Sequence, residues 1–281
     1  MTPLAVTERH RKKQLTIVGR VLKLLFPTTA SLRAALDPGN PSVVMADWLD
    51  LASNTIFSGR SESARASHDY YAAVKKAATG STETPLLDEV YTAPDVDRVR
   101  SSLLATGPGV YRRRLIQGDS DEQAFKYAQA ALLGAATRHV LDGSRSLIDA
   151  TVGTDQQAVG WIRVTDGDPC AFCAMLATRG FAAMKNEGGL YQSKQSATRV
   201  VSGRGSRKPG ERYHDNCGCT AMPVFSRDFE IPGDAEKWDK LYADSTRNAS
   251  GADKLKAFRK AYDEMRKGPV EPSEIGKIIL P

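Results

Sequence analysis

Cysteine and histidine are both scarce in this chain of 281 residues, which contains four of each. The histidines lie in the stretches RHRKK, SHDYY, RHVLD and YHDNC, so none of them belongs to the HExxH motif of a zinc-dependent protease. The chain also contains no Walker A sequence for nucleotide phosphates and no GxSxG nucleophile elbow. As far as sequence signatures go, these absences exclude HExxH metalloproteases, P-loop nucleotide hydrolases and α/β-hydrolases.

Long hydrophobic runs are also missing. The apolar stretch LTIVGRVLKLLF near the N-terminus is interrupted by Arg20 and Lys23, and no window approaches the ~20 apolar residues of a membrane span. The sequence therefore predicts neither a signal peptide nor a membrane segment, and we expect production in a reducing cytoplasm without a membrane partner. In that compartment, paired cysteines indicate a metal or redox site rather than a structural disulfide.

The composition that is present is typical of a globular protein with a core. Hydrophobic residues make up 41% of the chain and charged residues 26%, which at this length predicts about two domains. The net charge of +6 favours a polyanionic neighbour such as DNA or an acidic protein surface.

The N-terminal half has the apolar periodicity of helices. One helix is predicted from Val6 to Phe26, ending before Pro27. A second is predicted between Gly118 and Gly143, with Ser120 and Gln123 as a capping box and Gly143 as its end. His139 falls on the apolar stripe of that helix, where a core histidine is the expected role.

All four cysteines lie in two tight pairs, in DPCAFCAM and YHDNCGCTAM. Cys170 and Cys173 have the spacing that places two sulfurs on one Zn²⁺. The second arm offers His214, Cys217 and Cys219, so five donors compete for the four positions of a structural zinc site, and the spacing does not select among them. Three alternatives are thioredoxin-like redox chemistry, a disulfide, and a cysteine protease that pairs Cys217 or Cys219 with His214.

The cysteine pairs are flanked by two short stretches of strand pattern, AVGWIRV and CTAMPVF, and are separated by a loop rich in glycine and serine. The basic residues of this loop are the predicted contacts with DNA or an acidic partner. They are Arg199, Arg204, Arg207, Lys208 and Arg212.

Together these patterns predict an α+β fold that is mostly α. A helical domain at 1–153 is followed by a small zinc-stabilised, β-containing module at 154–228, which includes the basic loop. A tail of two amphipathic helices is predicted at 229–281.

These motifs resemble the MuF-like minor head proteins of tailed bacteriophages, the phage head morphogenesis family. That family combines a helical N-terminal region with an acidic turn carrying CxxC, a short helix, a variable loop, and a histidine three residues before CxC. The matching stretches are DGDPCAFCAML and YHDNCGCTAMPVF, within residues 158–226. The C-terminal stretches EKWDKLYADST and LKAFRKAY are similar to the tail of actinobacteriophage members.

The resemblance implies a minor capsid component inside the head near the portal, which supports procapsid assembly or DNA packaging and delivery. The implied partners are the portal protein, the major capsid or scaffold protein, and packaged DNA. Proteins at the same position in actinobacteriophage genomes are often named capsid maturation proteases, which makes proteolysis of scaffold or capsid subunits the alternative function. No residue of this sequence is assigned a catalytic role.

Overall fold

A computed structural model of the chain describes residues 1–36, 42–185, 213–226, 228–229, 231–251 and 253–266, with the backbone alone for 42–43, 179–185 and 234. It is 73% helical with a two-stranded sheet, so the predicted α+β, mostly α class is confirmed. The helices of the described residues are α1 (Pro3–Leu36), α2 (Ser42–Thr79), α3 (Leu87–Val90), α4 (Val96–Thr106), α5 (Pro108–Ile116), α6 (Asp121–Thr154), α7 (Ala171–Lys185), α8 (Gly233–Thr246) and α9 (Asp253–Met265). The strands are β1 (Gly160–Val164) and β2 (Thr220–Val224).

Three long helices, α1, α2 and α6, form the main bundle, and α4 and α5 pack beside them. Each long helix contributes apolar side chains to one core, in which every fully buried Leu, Ile or Val adds about 1.5–3 kcal/mol. Members of this core include Ile17, Leu25, Leu32, Trp48, Ile56, Leu103, Leu132 and Val140. This core makes the bundle the rigid scaffold of the molecule.

The prediction that α1 ends before Pro27 is wrong, because the helix continues to Leu36. Pro27 cannot donate a backbone hydrogen bond, and an interior proline ordinarily breaks a helix. Here Thr28 and Thr29 donate their hydroxyls to the carbonyls of Leu25 and Phe26, at 2.7 Å and 2.6 Å. Since Leu32 is fully buried in the bundle core beyond the proline, tertiary packing holds the helix together where local propensity would end it.

The start of α6 is predicted correctly and its end is not. Ser120 is the N-cap, and its hydroxyl accepts a hydrogen bond from the Gln123 amide at 3.3 Å. The helix passes through Gly143 and ends at Thr154. A Cβ atom on Gly143 would lie 2.3 Å from the Arg60 carbonyl oxygen of α2. This glycine is therefore a point of close helix approach rather than a C-cap.

The two strands pair antiparallel, with Gly160 opposite Val224 and Val164 opposite Thr220. Both faces of the sheet are buried. Trp161 packs with Tyr70 and Tyr71 of α2 on one face, and the other face carries Ile162, Val164, Met222 and Val224. The sheet thus joins the cysteine-containing segments to the bundle.

The C-terminal helices α8 and α9 pack on α7 through Trp238, Phe258 and Tyr262. The Tyr262 hydroxyl donates to the carbonyl of Pro169, and Arg266 pairs with Asp168. Both contacts hold the turn that precedes the first cysteine pair. The three-part division of the chain stays a prediction, since these contacts connect the tail to the module and the sheet connects the module to the bundle.

One helix among the described residues, α1, is long and apolar enough to cross a membrane by length and composition. Its most apolar stretch of 18 residues has a mean hydropathy of 1.3, and 44% of that stretch is buried inside the protein. The core helix of a helical bundle can have the same length and apolar composition, and the apolar residues of α1 pack against α2 and α6.

Acidification is expected to weaken the bundle through His10. Its ring is stacked on Tyr70 and its Nε2 contacts the hydroxyls of Ser67 and Ser144, both at 3.2 Å. Burial, together with the charge of Lys13, lowers the pKa of His10 to about 3. The unfolded chain, with a histidine pKa near 6.5, takes up the proton first as the pH falls. The contribution of His10 is therefore complete above that value and is lost toward pH 3, by about 2 kcal/mol between pH 7 and pH 5.

Urea unfolding of the wild type and of His10→Gln at both pH values measures this effect. The glutamine variant keeps a polar side chain of similar reach but has no titration in this range. We expect its loss of stability between pH 7 and pH 5 to be about 2 kcal/mol smaller than that of the wild type. Parallel losses in the two proteins would show that His10 does not carry the dependence.

Candidate metal centre

The first pair of cysteines lies at the junction of β1 and α7. Between them the chain turns at Gly167, whose φ of 85° is in the left-handed region that glycine adopts without strain. Cys170 precedes α7 and its carbonyl accepts the Ala174 amide at 2.9 Å. Its Sγ lies 3.4 Å from the Cys173 amide nitrogen, which donates to it. A thiolate at a helix N-terminus is stabilised by such amides.

The second arm is the segment 213–219, which leads into β2. Asn216 has a φ of 62°, a left-handed conformation that asparagine tolerates better than most residues. The Nδ1 atom of His214 lies 2.6 Å from the Asp215 carbonyl oxygen. Because a carbonyl only accepts, Nδ1 carries the proton, and Nε2 is left as the atom that can bind a metal.

The five predicted donors come together in two overlapping groups. Cys170, Cys173 and His214 form one group, and Cys173, Cys217 and Cys219 form the other, with the donor atoms of each group within 4.8 Å of one another. The Cys173 sulfur is 3.4 Å from that of Cys217 and 3.7 Å from His214 Nε2. Two sulfurs at 2.3 Å from a tetrahedral Zn²⁺ would be roughly 3.8 Å apart. Cys173 therefore occupies the centre of a donor set of suitable size for a metal ion.

Burial differs across the donor set. Cys173, Cys217 and Cys219 are buried, Cys170 is partly buried and His214 is exposed. The hydrogen bond with Cys170 raises the pKa of Cys173. Hydrogen bonds with Cys217 and Cys219 and the charge of Arg163 have the larger, opposite effect, and the pKa of Cys173 is lowered to about 5. Contacts with Cys173 and Cys217, together with burial, raise the pKa of Cys219 well above its usual value.

The pKa values of the two less buried donors, Cys170 and His214, are shifted in opposite directions. A hydrogen bond with Cys173 lowers the pKa of Cys170 to about 7, although burial opposes this shift. A hydrogen bond with Cys173 also raises the pKa of His214 to about 9, again against burial. Cys170 Sγ and His214 Nε2 are 2.7 Å apart. The open side of the centre therefore carries a close thiol and imidazole pair.

Two buried arginines surround the donors. Arg145 of α6 donates to the carbonyls of Cys217 and Cys219, at 2.5 Å and 3.0 Å. Arg163 of β1 donates to the Cys173 sulfur at 3.3 Å. Their guanidinium groups lie over the ring of Tyr213, 3.7 Å and 3.9 Å from its centroid. These contacts orient the second arm and connect it to the bundle.

Comparison with known proteins decides the family. The family model of the VG15 protein matches residues 1–245. The chain belongs to the VG15 protein family. It is also 30% identical over 137 residues to the gene 15 protein of Mycobacterium phage L5, an alignment that covers 41% of this chain and 45% of that relative. The aligned part is thus less than half the length of the relative. No solved structure matches the chain.

The expectation of a phage protein is thereby confirmed at the level of a phage protein family. The match of the VG15 model includes the bundle, both cysteine arms and α8. The MuF-like resemblance and a place in the head stay predictions for this VG15 protein.

The structure brings together every donor predicted from the sequence and adds neighbours that the sequence reasoning missed. Arg145 and Arg163 escaped notice because they lie outside the cysteine motifs, and Tyr213, the first residue of YHDNCGCTAM, because it is not a typical metal ligand. An arginine within the short apolar strand WIRV was the available signal for Arg163, since a charged residue on a strand buried on both faces needs a partner.

Two further predictions concern the basic loop and the cysteine-protease alternative. The basic loop residues, Arg199 through Arg212, lie outside the described residues, so their contacts stay predicted. The cysteine-protease alternative paired His214 with Cys217 or Cys219, whereas His214 Nε2 is directed to Cys170 and Cys173. Cys217 and Cys219 belong to the donor group that does not contain His214.

Proposed function

We propose that this protein is a minor capsid or head morphogenesis protein of a tailed phage, positioned inside the head near the portal. Its role is structural: it supports procapsid assembly or the packaging and delivery of DNA. Membership of a phage protein family and the MuF-like pattern of CxxC followed by HxxCxC support this role. The observation that carries it is the convergence of the two distant cysteine arms into one donor set beside a helical bundle.

The metal proposed for the donor set is a structural Zn²⁺. Thiolate and imidazole donors favour zinc over hard cations, which prefer oxygen ligands. Cys170, Cys173 and Cys217 would hold it together with either His214 or Cys219. The two-stranded sheet is small, and a bound metal would supply folding free energy that a sheet of this size lacks.

Co-expression tests the structural role. The portal, the scaffold and the major capsid protein are produced with the wild-type chain or with Cys173→Ser. We expect the wild type to purify with the portal and with about one zinc per chain, and the variant to lose both. Wild-type protein that carries zinc and yet stays separate from portal and procapsid would contradict the proposed role.

Contact of the basic loop with packaged DNA is the second part of the proposal. The motivation is the excess of positive charge between residues 199 and 212. Charge reversal of Arg199, Arg204, Arg207, Lys208 and Arg212 is expected to weaken binding to duplex DNA and to flatten its dependence on salt concentration. Unchanged DNA affinity in the reversed variant would remove the loop from the proposal.

One contact favours the alternative function of a capsid maturation protease. The 2.7 Å separation of Cys170 Sγ and His214 Nε2, on the open side of the centre, is compatible with an activated thiolate. A protease of this kind would cleave scaffold or capsid subunits at defined positions, and Cys170→Ser would abolish cleavage. Absence of cleavage by well-folded wild-type protein, with and without a chelator, would reject this alternative.

A further inference from the structure

Arg163 is a buried cation that lies against the cysteine cluster. It lies on β1 and is 5% exposed. Its neighbours are the Tyr213 ring on one side and the Cys173 sulfur at 3.3 Å. The groups that interact with its charge are Tyr213 and three cysteines, Cys173, Cys217 and Cys219. Among the residues that the structure describes, no carboxylate forms an ion pair with it.

Arg145 is the matched contrast on the other face of the same ring. It is equally buried, but its Nη1 lies 3.7 Å from the carboxylate of Asp142. Its remaining hydrogen bonds go to the backbone carbonyls of the second arm. Arg145 therefore has a carboxyl group beside it in the bundle, whereas Arg163 has none among the described residues.

A buried guanidinium without a counter-charge is strongly unfavourable, because burial removes its hydration without replacing it. The proposed metal centre supplies the missing charge. Any four of the five donors include at least three cysteines, so a divalent ion bound by three thiolates carries one net negative charge, and four thiolates give two. Either centre is anionic, and Arg163 donates to the one sulfur that both donor groups share.

We propose that Arg163 is a positioning residue of the metal centre, in which it acts as the buried counter-cation and directs a hydrogen bond to the thiolate of Cys173. This inference rests on the proposed metal centre. Arg163 does not bind the metal; it stabilises the charged ligand that does. Hydrogen-bonded neighbours of ligands characteristically contribute about 10–100-fold to metal affinity.

The test measures metal binding by the full chain, with Zn²⁺ affinity from chelator competition and with the absorption spectrum of the Co²⁺ form. Arg163→Met is expected to bind Zn²⁺ about 10–100-fold more weakly than the wild type. Its thiolate-to-cobalt charge-transfer band is expected to move to longer wavelength. Without the nearby positive charge the sulfur donor orbitals lie higher in energy, so less energy is needed to transfer an electron to cobalt. A merely structural role would leave the position of that band unchanged.

Arg163→Lys and Arg60→Met complete the comparison. The lysine variant keeps the charge, so we expect it to retain most of the affinity that methionine loses; a loss as large as that of methionine would overturn the proposal. Arg60 is a buried arginine of the bundle that donates to the His139 carbonyl, and its replacement is expected to lower stability without changing metal affinity or the band.

The possible outcomes separate this inference from the proposal beneath it. If the wild-type protein binds neither Zn²⁺ nor Co²⁺, the proposed metal centre itself is refuted. Wild-type protein that binds both, together with an Arg163→Met variant of unchanged affinity and spectrum, keeps the centre and overturns the role of Arg163. If the methionine variant does not fold, the affinity of Arg163→Lys decides alone, and a loss of more than about tenfold would contradict the proposal.

Discussion

Cys173→Ser is expected to abolish high-affinity metal binding and to unfold the module around the sheet. Cys173 is fully buried and is the one donor that belongs to both groups. Since four ligands together supply about 10–16 kcal/mol in structural zinc sites, the loss of one corresponds to roughly 2.5–4 kcal/mol. Zinc content after dialysis and the midpoint of thermal unfolding measure the effect, and added chelator is expected to lower the midpoint of the wild type but not that of the variant.

Cys219→Ser and His214→Ala are the matched controls for this prediction. Each removes a donor that belongs to one group. A four-coordinate site needs only one of the two, so one substitution is expected to match Cys173→Ser and the other to leave zinc content near one per chain. A Cys173→Ser protein that still binds zinc with wild-type affinity would refute the central position of this ligand.

Gly143→Ala is expected to destabilise the bundle by about 2–3 kcal/mol, although alanine is the better helix former. The new methyl group would lie 2.3 Å from the Arg60 carbonyl oxygen and 3.1 Å from its carbonyl carbon. Both are backbone atoms of α2, so relief requires the two helices to separate. The separation would loosen the packing around Ile56 and Val140. Denaturant unfolding followed by circular dichroism measures the loss.

Gly134→Ala is the control, because it makes the same substitution in the same helix. Its methyl group would meet the side chain of Asn216, with the amide oxygen at 2.7 Å. A side chain that is exposed can move aside, so the cost is expected to stay below about 1 kcal/mol. Equal losses in the two variants would mean that the Gly143 contact is not the tight point between α2 and α6.

Local sequence signals predicted the elements whose ends depend on nearby residues. Ser120 caps α6 as expected, because the capping bond joins residues three positions apart. The ends assigned to Pro27 and Gly143 failed for the opposite reason. In both places the helix continues because it packs against a distant helix, and that packing outweighs the cost of a proline or glycine.

The candidate site likewise has some features that local sequence signals predicted and others that depend on long-range packing. The spacing of CxxC and HxxCxC predicted the five side chains that the structure brings together, since the ligands of structural zinc sites often come in short, paired segments. The spacing left the order of the donors around the metal open. That order depends on the left-handed turn at Asn216 and on the antiparallel pairing of β1 with β2, which sets the second arm beside the first.

By itself, the sequence determined that this protein is mostly helical, and it predicted that the thiols belong to one site and which residues can bind a metal. Those properties follow from periodicity and spacing along the chain. Only the tertiary structure decided that Cys173 lies at the centre of the donors and that Arg145 and Arg163 enclose Tyr213 beside it. The contacts of this site span up to 74 positions, as between Arg145 and Cys219. Contacts over such distances are set by how helices and strands pack, which no local pattern records.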